Sequence, residues 1–229
     1  MSNIFLDTLE NLIALSNETY RAFNEKIANS TKPMLGVTTP QMRKIADKIY
    51  KNDFISYLEN CEFKYFEDTM IYGFIIAKLP YNEFLKFLPI YLANVDSWAH
   101  IDSFVSSIKA IKNNSDDFFK IIFENVEKSV GFTLRFYLVS LMTYYLEEKH
   151  LACVFSVLEK CDGKGYYNDM AIAWLISVAF VKFRDKTFDF IKNCKLSSFT
   201  LNKSISKIKD SFRVSREDKI LLQNYIRKN

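Results

Sequence analysis

The chain has 229 residues, 49% hydrophobic and 25% charged, with a formal net charge of +4, enough to bury a sizeable core as one large or two small domains. Five glycines and four prolines are too few for a sheet protein with many tight turns. Two histidines and four scattered cysteines (Cys61, Cys153, Cys161, Cys194) with no CxxC pair argue against a zinc site.

The N-terminus lacks the basic-then-apolar pattern of a secretory leader. Apolar residues then recur at helical spacing almost everywhere, and no long stretch alternates with period two. The first break falls at Thr31-Lys32-Pro33. After Gly36, Thr39 is placed to N-cap a helix with Pro40 in its first turn, and Arg43, Lys44 and Lys48 follow as a small basic set. Leu79-Pro80 marks a second break, and in Tyr81 to Ala93 the residues Phe84, Leu85, Leu88 and Leu92 form one stripe. The next helix opens at Trp98, with Ile101, Phe104, Val105, Ile108 and Ile111 as its buried face.

Beyond Lys112-Asn113-Asn114-Ser115, the segment Asp116 to Lys128 carries Phe118, Phe119, Ile122, Phe123 and Val126 at helical spacing. Gly131 to Glu147 follows, with Arg135 between Leu134 and Phe136, and Asp162-Gly163-Lys164-Gly165 makes the next connection. Tyr166 to Phe183 is apolar nearly all round, as a central helix should be. Its longest apolar run, Met170 to Val181, falls short of the roughly 20 residues that cross a bilayer. A soluble chain in a reducing cytoplasm, with free buried thiols, no membrane partner and no metal, is the expectation.

A weak repeat shows through. Phe54, Phe84, Phe118, Phe155 and Phe188 each open the same local pattern, at steps of 30, 34, 37 and 33 residues. That period belongs to stacked helical pairs, so the expected fold is an all-α solenoid, residues 1–229 forming a single curved domain. A non-repetitive helical bundle is the alternative.

Charge is uneven along the chain. From Lys182 to the C-terminus there are 13 Lys or Arg against 5 Asp or Glu, a local balance of +8 that leaves −4 on the rest. In Thr200 to Arg213, Lys203, Lys207 and Ser211 share one helical face while Ile205, Ile208 and Phe212 take the other. Basic and hydroxyl groups along one face can follow a sugar-phosphate backbone, although solvated helix faces give similar counts.

Trp98 and Asp102 sit four residues apart, so one helical turn sets an aromatic face beside a carboxylate. Such a pair suits an electron-poor, cationic target. Trp174 has Ala171 and Ser177 three residues to either side, which leaves room over its ring. Arg135, always charged, must reach outward or meet an anion such as phosphate or carboxylate. Each also has an ordinary reading: core-edge and core tryptophans, a solvated or capping carboxylate, and a salt bridge from Arg135 to Glu127. No GxGxxG, Walker, HExxH or GxSxG motif occurs.

Together these segments resemble the DNA alkylation repair family of HEAT-like-repeat DNA glycosylases. The matching pieces are Leu35 to Ala46, Val95-Asp96-Ser97-Trp98 through Asp102, Leu134-Arg135, Tyr166-Tyr167 through Trp174, Asn202-Lys203 through Lys207-Ile208, then Ser211 and Arg213-Val214. The resemblance implies a HEAT-like solenoid with a concave DNA-binding face and removal of purines made cationic by N3- or N7-alkylation. Asp102 would stabilise positive charge on the deoxyribose and orient water, Trp98 and Trp174 would face the sugar and base, and Arg135 would hold a phosphate. Arg43, Lys44, Lys48, Lys203, Lys207 and Arg213 would grip the duplex. It further implies no cofactor, action without base flipping, and a cytoplasmic monomer found with the nucleoid when bound to DNA. The sequence departs from the family in having Asp169, Met170 and Ser177 near the second tryptophan, where many relatives carry basic residues. A non-catalytic relative that binds distorted or branched DNA is the alternative.

Overall fold

Helical periodicity becomes fourteen α-helices and three short 3-10 turns, with no strand, among the residues that the computed structural model describes, 4–228. Residues 1–3 and 229, the ends of the expected single domain, lie outside the described residues. The chain groups into two compact units, Met1–Ser115 and Asp116–Asn229. In the first are α1 (Ile4–Ala14), α2 (Glu18–Ala28), α3 (Thr39–Asn52), α4 (Phe54–Asn60), α5 (Phe66–Ile76), α6 (Tyr81–Asn94) and α7 (Trp98–Val105). In the second are α8 (Ser115–Asn125), α9 (Gly131–Tyr144), α10 (Leu151–Cys161), α11 (Tyr166–Lys182), α12 (Arg184–Asn193), α13 (Ser198–Asp210) and α14 (Arg216–Gln223).

Each unit is built round one helix that is buried on nearly all sides and largely apolar beyond its first turn. In the first it is α5, buried at every residue from Phe66 to Ile76 and packed against α3, α6 and α7. A Cβ at Gly73 would lie 2.8 Å from the Tyr91 ring, so glycine lets α6 close onto α5 there. In the second it is α11, packed against α9, α12 and α13. Ring contacts show that α9, α11 and α13 begin side by side and run parallel. Phe132 meets Tyr167 at 5.7 Å between centroids, and Tyr166 meets Phe199 at 6.1 Å.

The phenylalanine repeat falls on alternate helices. Phe54, Phe84, Phe118, Phe155 and Phe188 lie on α4, α6, α8, α10 and α12, and all but Phe54 are buried. The intervening helices α3, α5, α7, α9, α11 and α13 carry the other half of each pair. This alternation is a helical repeat, as the sequence period implies.

Several boundaries differ from the sequence reading. Thr38, not Thr39, is the N-cap of α3, because the Gln41 side-chain carbonyl reaches back to accept from Thr38 N–H and Thr38 Oγ1 and fixes the start one residue earlier. The helix opened by Trp98 stops at Val105 rather than running to Ile111, since the Ser107 hydroxyl turns back onto the Ser103 carbonyl and Lys109 N–H goes to Ala77. Ile108 and Ile111 are buried all the same, from a turn and a 3-10 segment. The buried stripe of α6 is Phe84, Phe87, Leu88 and Tyr91 rather than one through Leu85 and Leu92. The Tyr91 phenol can go inside because it donates to the His100 carbonyl at 2.9 Å. Of the cysteines, Cys161 and Cys194 are buried, Cys61 is half-buried, and Cys153 is exposed, contrary to the expectation for all four.

Candidate active site

The site begins where α2 ends. The last carbonyls of any helix lack partners within it. Here the two residues that open α7 supply them: the Ser97 hydroxyl donates to the Ala28 carbonyl at 2.6 Å, and the Trp98 indole Nε1 donates to the Ile27 carbonyl at 2.9 Å. Ser97 also N-caps α7 by accepting from Ala99 N–H. One residue earlier, the Asp96 carboxylate accepts from Ser30 Oγ, Thr31 N–H, Thr31 Oγ1 and Lys32 N–H. Burial pulls the Asp96 carboxyl upward, but the bonds from Thr31 and Ser30 outweigh it and hold the group below the usual range. Asp96-Ser97-Trp98 thus clamps residues 27–32 and fixes where the Trp98 ring stands.

One turn along α7, Asp102 is half-buried on the same helix face as half-buried Trp98. Below it lie the buried residues Ile101, Phe104 and Val105. The buried Tyr91 phenol is kept protonated by burial first and by the neighbouring Asp102 charge second. His100 is buried and stacks on the Phe66 ring at 4.3 Å between centroids, with Nε2 3.1 Å from the Phe66 carbonyl. Its Nδ1 lies 3.4 Å from Asp96 without the alignment of a hydrogen bond. Burial lowers this imidazole to about 4, so it is neutral at pH 7.

The other end of α7 is held from α3. Arg43 donates from Nη1 to Ser107 Oγ at 2.7 Å and from Nη2 to the Ser103 carbonyl at 3.4 Å, and its guanidinium lies over the Phe74 ring at 4.1 Å. A cation at a helix C-terminus meets the negative end of the dipole. Arg43 therefore points into the protein, whereas Lys44 and Lys48 of the same basic set are exposed. The loop that delivers α3 is organised by buried Glu67, which accepts from Leu35, Gly36 and Val37 N–H. Gly36 has φ +85, and a Cβ there would meet the Asn17 carbonyl at 2.3 Å, so only glycine fits.

In the second unit, Arg135 lies in the second turn of α9, buried, and donates from Nη1 to the Tyr167 carbonyl at 2.6 Å. Glu127, its expected partner under the ordinary reading, has its carboxylate 2.7 Å from Lys160 Nζ. Trp174 is half-buried in the middle of α11, flanked by Ala171, Ala173 and Ser177. The Ser177 hydroxyl folds back onto the Trp174 carbonyl at 2.7 Å. Asp169, the departure from the family pattern, is buried and accepts from Gly163 N–H at 2.9 Å, so it serves the loop before α11. Burial raises its carboxyl.

On α13, Lys203 is exposed, with Nζ 5.8 Å from the Phe199 ring centre, and Lys207 is half-exposed. Ser204, Ile205 and Ile208 face inward, while Arg213 is exposed on the following turn. Asp162 sets the start of this helix by accepting from Ser197 Oγ and Thr200 Oγ1. Reading the sequence missed Asp96 within its motif, and Glu67 and Asp162 altogether. Each acts on residues 30 or more positions away, which no local pattern reveals. Among the described residues no cluster of His, Cys, Asp and Glu is arranged to hold a metal, and no helix is long and apolar enough to cross a membrane.

Within the first unit the chemistry-bearing residues are Arg43, Lys44 and Lys48 on α3 and Trp98 and Asp102 on α7; within the second they are Arg135 on α9, Trp174 on α11, and Lys203 and Lys207 on α13. None lies on the alternate helices that carry the phenylalanine repeat. No curated protein matches the chain. A family model described as DNA alkylation repair enzyme matches residues 8–208, a span that takes in each of these positions. The chain belongs to the DNA alkylation repair enzyme family.

Proposed function

We propose that the protein is a monofunctional DNA glycosylase that hydrolyses the N-glycosidic bond of purines made cationic by N3- or N7-alkylation, in duplex DNA and without flipping the base. The observation that carries this reading is α7, which presents the Trp98 indole, locked to Ile27, one turn from the Asp102 carboxylate. A cationic purine is already a good leaving group and needs little acid assistance. What remains is positive charge developing on the deoxyribose, which a fixed carboxylate stabilises while orienting water. The faces of Trp98 and Trp174 attract a cationic nucleoside. Arg135, whose Nη1 is bonded to the Tyr167 carbonyl, is assigned to a phosphate through its other guanidinium nitrogens, and Lys44, Lys48, Lys203, Lys207 and Arg213 to the DNA backbone, which they grip without reading sequence. No cofactor enters this chemistry.

The test is incubation with duplex DNA carrying N7-methylguanine, scoring free base and abasic sites. Release of the methylated base with one abasic site per base supports the reading. Tight, salt-sensitive DNA binding with no abasic product identifies instead a non-catalytic relative that binds distorted or branched DNA.

A further inference from the structure

Phe212 stands clear of the fold. Its relative exposure is 103%, on the turn that joins α13 to α14. The turn is fastened at both shoulders. Ser211 N–H bonds the Ile208 carbonyl at 3.1 Å, Arg213 N–H bonds Ser211 Oγ at 3.2 Å, Val214 is buried, and Ser215 caps α14 through Asp218 N–H at 3.0 Å. The ring is therefore held out by a short, bonded turn. A fully exposed phenylalanine adds nothing to folding, because its apolar surface is left in water.

Its surroundings are basic. Between Lys203 and Lys219 there are six cations (Lys203, Lys207, Lys209, Arg213, Arg216, Lys219) against three carboxylates, of which Asp218 is taken by Arg184. An apolar tip inside a positive field suits a polyanion that can also accept an apolar group between stacked rings, which is duplex DNA. The position is also apt. α13 runs parallel to α11, the helix of Trp174. At about 1.5 Å per residue, the end of α13 at Asp210 lies roughly 5 Å further along than Trp174, and about 8–10 Å across. The turn that carries Phe212 starts there, on the order of three base steps away at about 3.4 Å per step.

We propose that Phe212 is a wedge that inserts at a base step a few nucleotides from the lesion, with Arg213 beside it on the backbone. The proposal rests on the DNA-binding part of the function above and not on base excision, so the two can fail separately.

The full chain is tested as wild type, Phe212→Ala, Phe212→Trp and Arg213→Ala, on undamaged duplexes and on duplexes with a stable abasic analogue. Fluorescence anisotropy gives affinity, and 2-aminopurine placed at successive steps within five nucleotides of the analogue reports unstacking. Because the side chain is fully exposed, Phe212→Ala leaves the melting temperature unchanged. The expected result is about tenfold weaker binding, in the range of one stacking contact, with an unchanged salt slope and loss of a 2-aminopurine signal that wild type shows at one or two steps. Arg213→Ala instead lowers the salt slope by about one contact. In Phe212→Trp, DNA quenches indole emission beyond the quenching that Trp98 and Trp174 give in wild type. Binding by Phe212→Ala within twofold of wild type overturns the proposal, as does the absence of unstacking in wild type. So does preferential binding of the Phe212→Trp indole to phosphatidylglycerol vesicles, which makes the tip a membrane contact.

Discussion

The Trp98 indole N–H donates to the Ile27 carbonyl at 2.9 Å, so the ring proposed to face the damaged nucleotide is tied to the last turn of α2. The bond uses a helix-end carbonyl that would otherwise need water. Trp98→Phe keeps an aromatic face and removes the donor. Urea unfolding is expected to show a loss of about 1 kcal/mol, and excision by the variant falls further than DNA binding does. An unchanged unfolding midpoint shows that the bond does not hold the ring.

Arg43 is expected to act through α7 rather than through DNA. Arg43→Ala removes the bonds to Ser107 and Ser103 and the contact with Phe74, a loss on the order of 1–2 kcal/mol. The dependence of DNA affinity on salt stays as in wild type. Lys203→Ala and Lys207→Ala should behave in the opposite way, with unchanged stability and a slope reduced by about one each. A reduced slope in Arg43→Ala restores it to the phosphate contacts.

Part of this was legible in the sequence, and the division has a physical basis. Helical spacing reports which face is apolar, so the helices, their order and the Phe54-to-Phe188 period could be read directly. The same spacing cannot say whether a cation at a helix edge looks outward. Arg43 therefore read like Lys44 and Lys48, though its guanidinium is turned inward onto Phe74. Tyr91 reads as polar by its hydroxyl until the His100 carbonyl is placed beside it. The clamps made by Asp96, Glu67 and Asp162 join side chains to distant residues, and only the folded backbone brings them together.

His100 gives a pH-dependent signature. Its folded-state value, lowered to about 4 by burial, lies below the ordinary 6.5, so the unfolded chain takes up a proton first as pH falls. The stability owed to the neutral ring is complete above pH 6.5 and is lost between 6.5 and 4. His100→Gln lacks that group, so the stability gap between wild type and variant should narrow over that window. A gap that is constant from pH 7 to 4 contradicts the assignment.

Gly36→Ala should be among the most damaging small changes in the first unit. It places a side chain at φ +85 and a Cβ 2.3 Å from the Asn17 carbonyl. The expected loss is about 2–3 kcal/mol or more, with the Glu67 bonds to residues 35–37 weakened at the same time. Thermal melting within a degree of wild type would mean that the loop relaxes freely.

If Trp98 and Trp174 act on one nucleotide, their contributions to the rate are coupled. The double variant Trp98→Ala with Trp174→Ala should lose less than the two single losses combined, by at least about 0.5 kcal/mol in transition-state stabilisation. Strict additivity would assign the two rings to separate tasks.

The most direct measurement compares wild type with Asp102→Asn, which keeps the side-chain shape and removes its charge. The readouts are single-turnover release of N7-methylguanine and affinity for abasic-analogue DNA. The expected result is release slowed by about 10²–10³-fold or more, with affinity within a few fold of wild type. Release at the wild-type rate would contradict the role of Asp102, and with it the glycosylase mechanism built on α7.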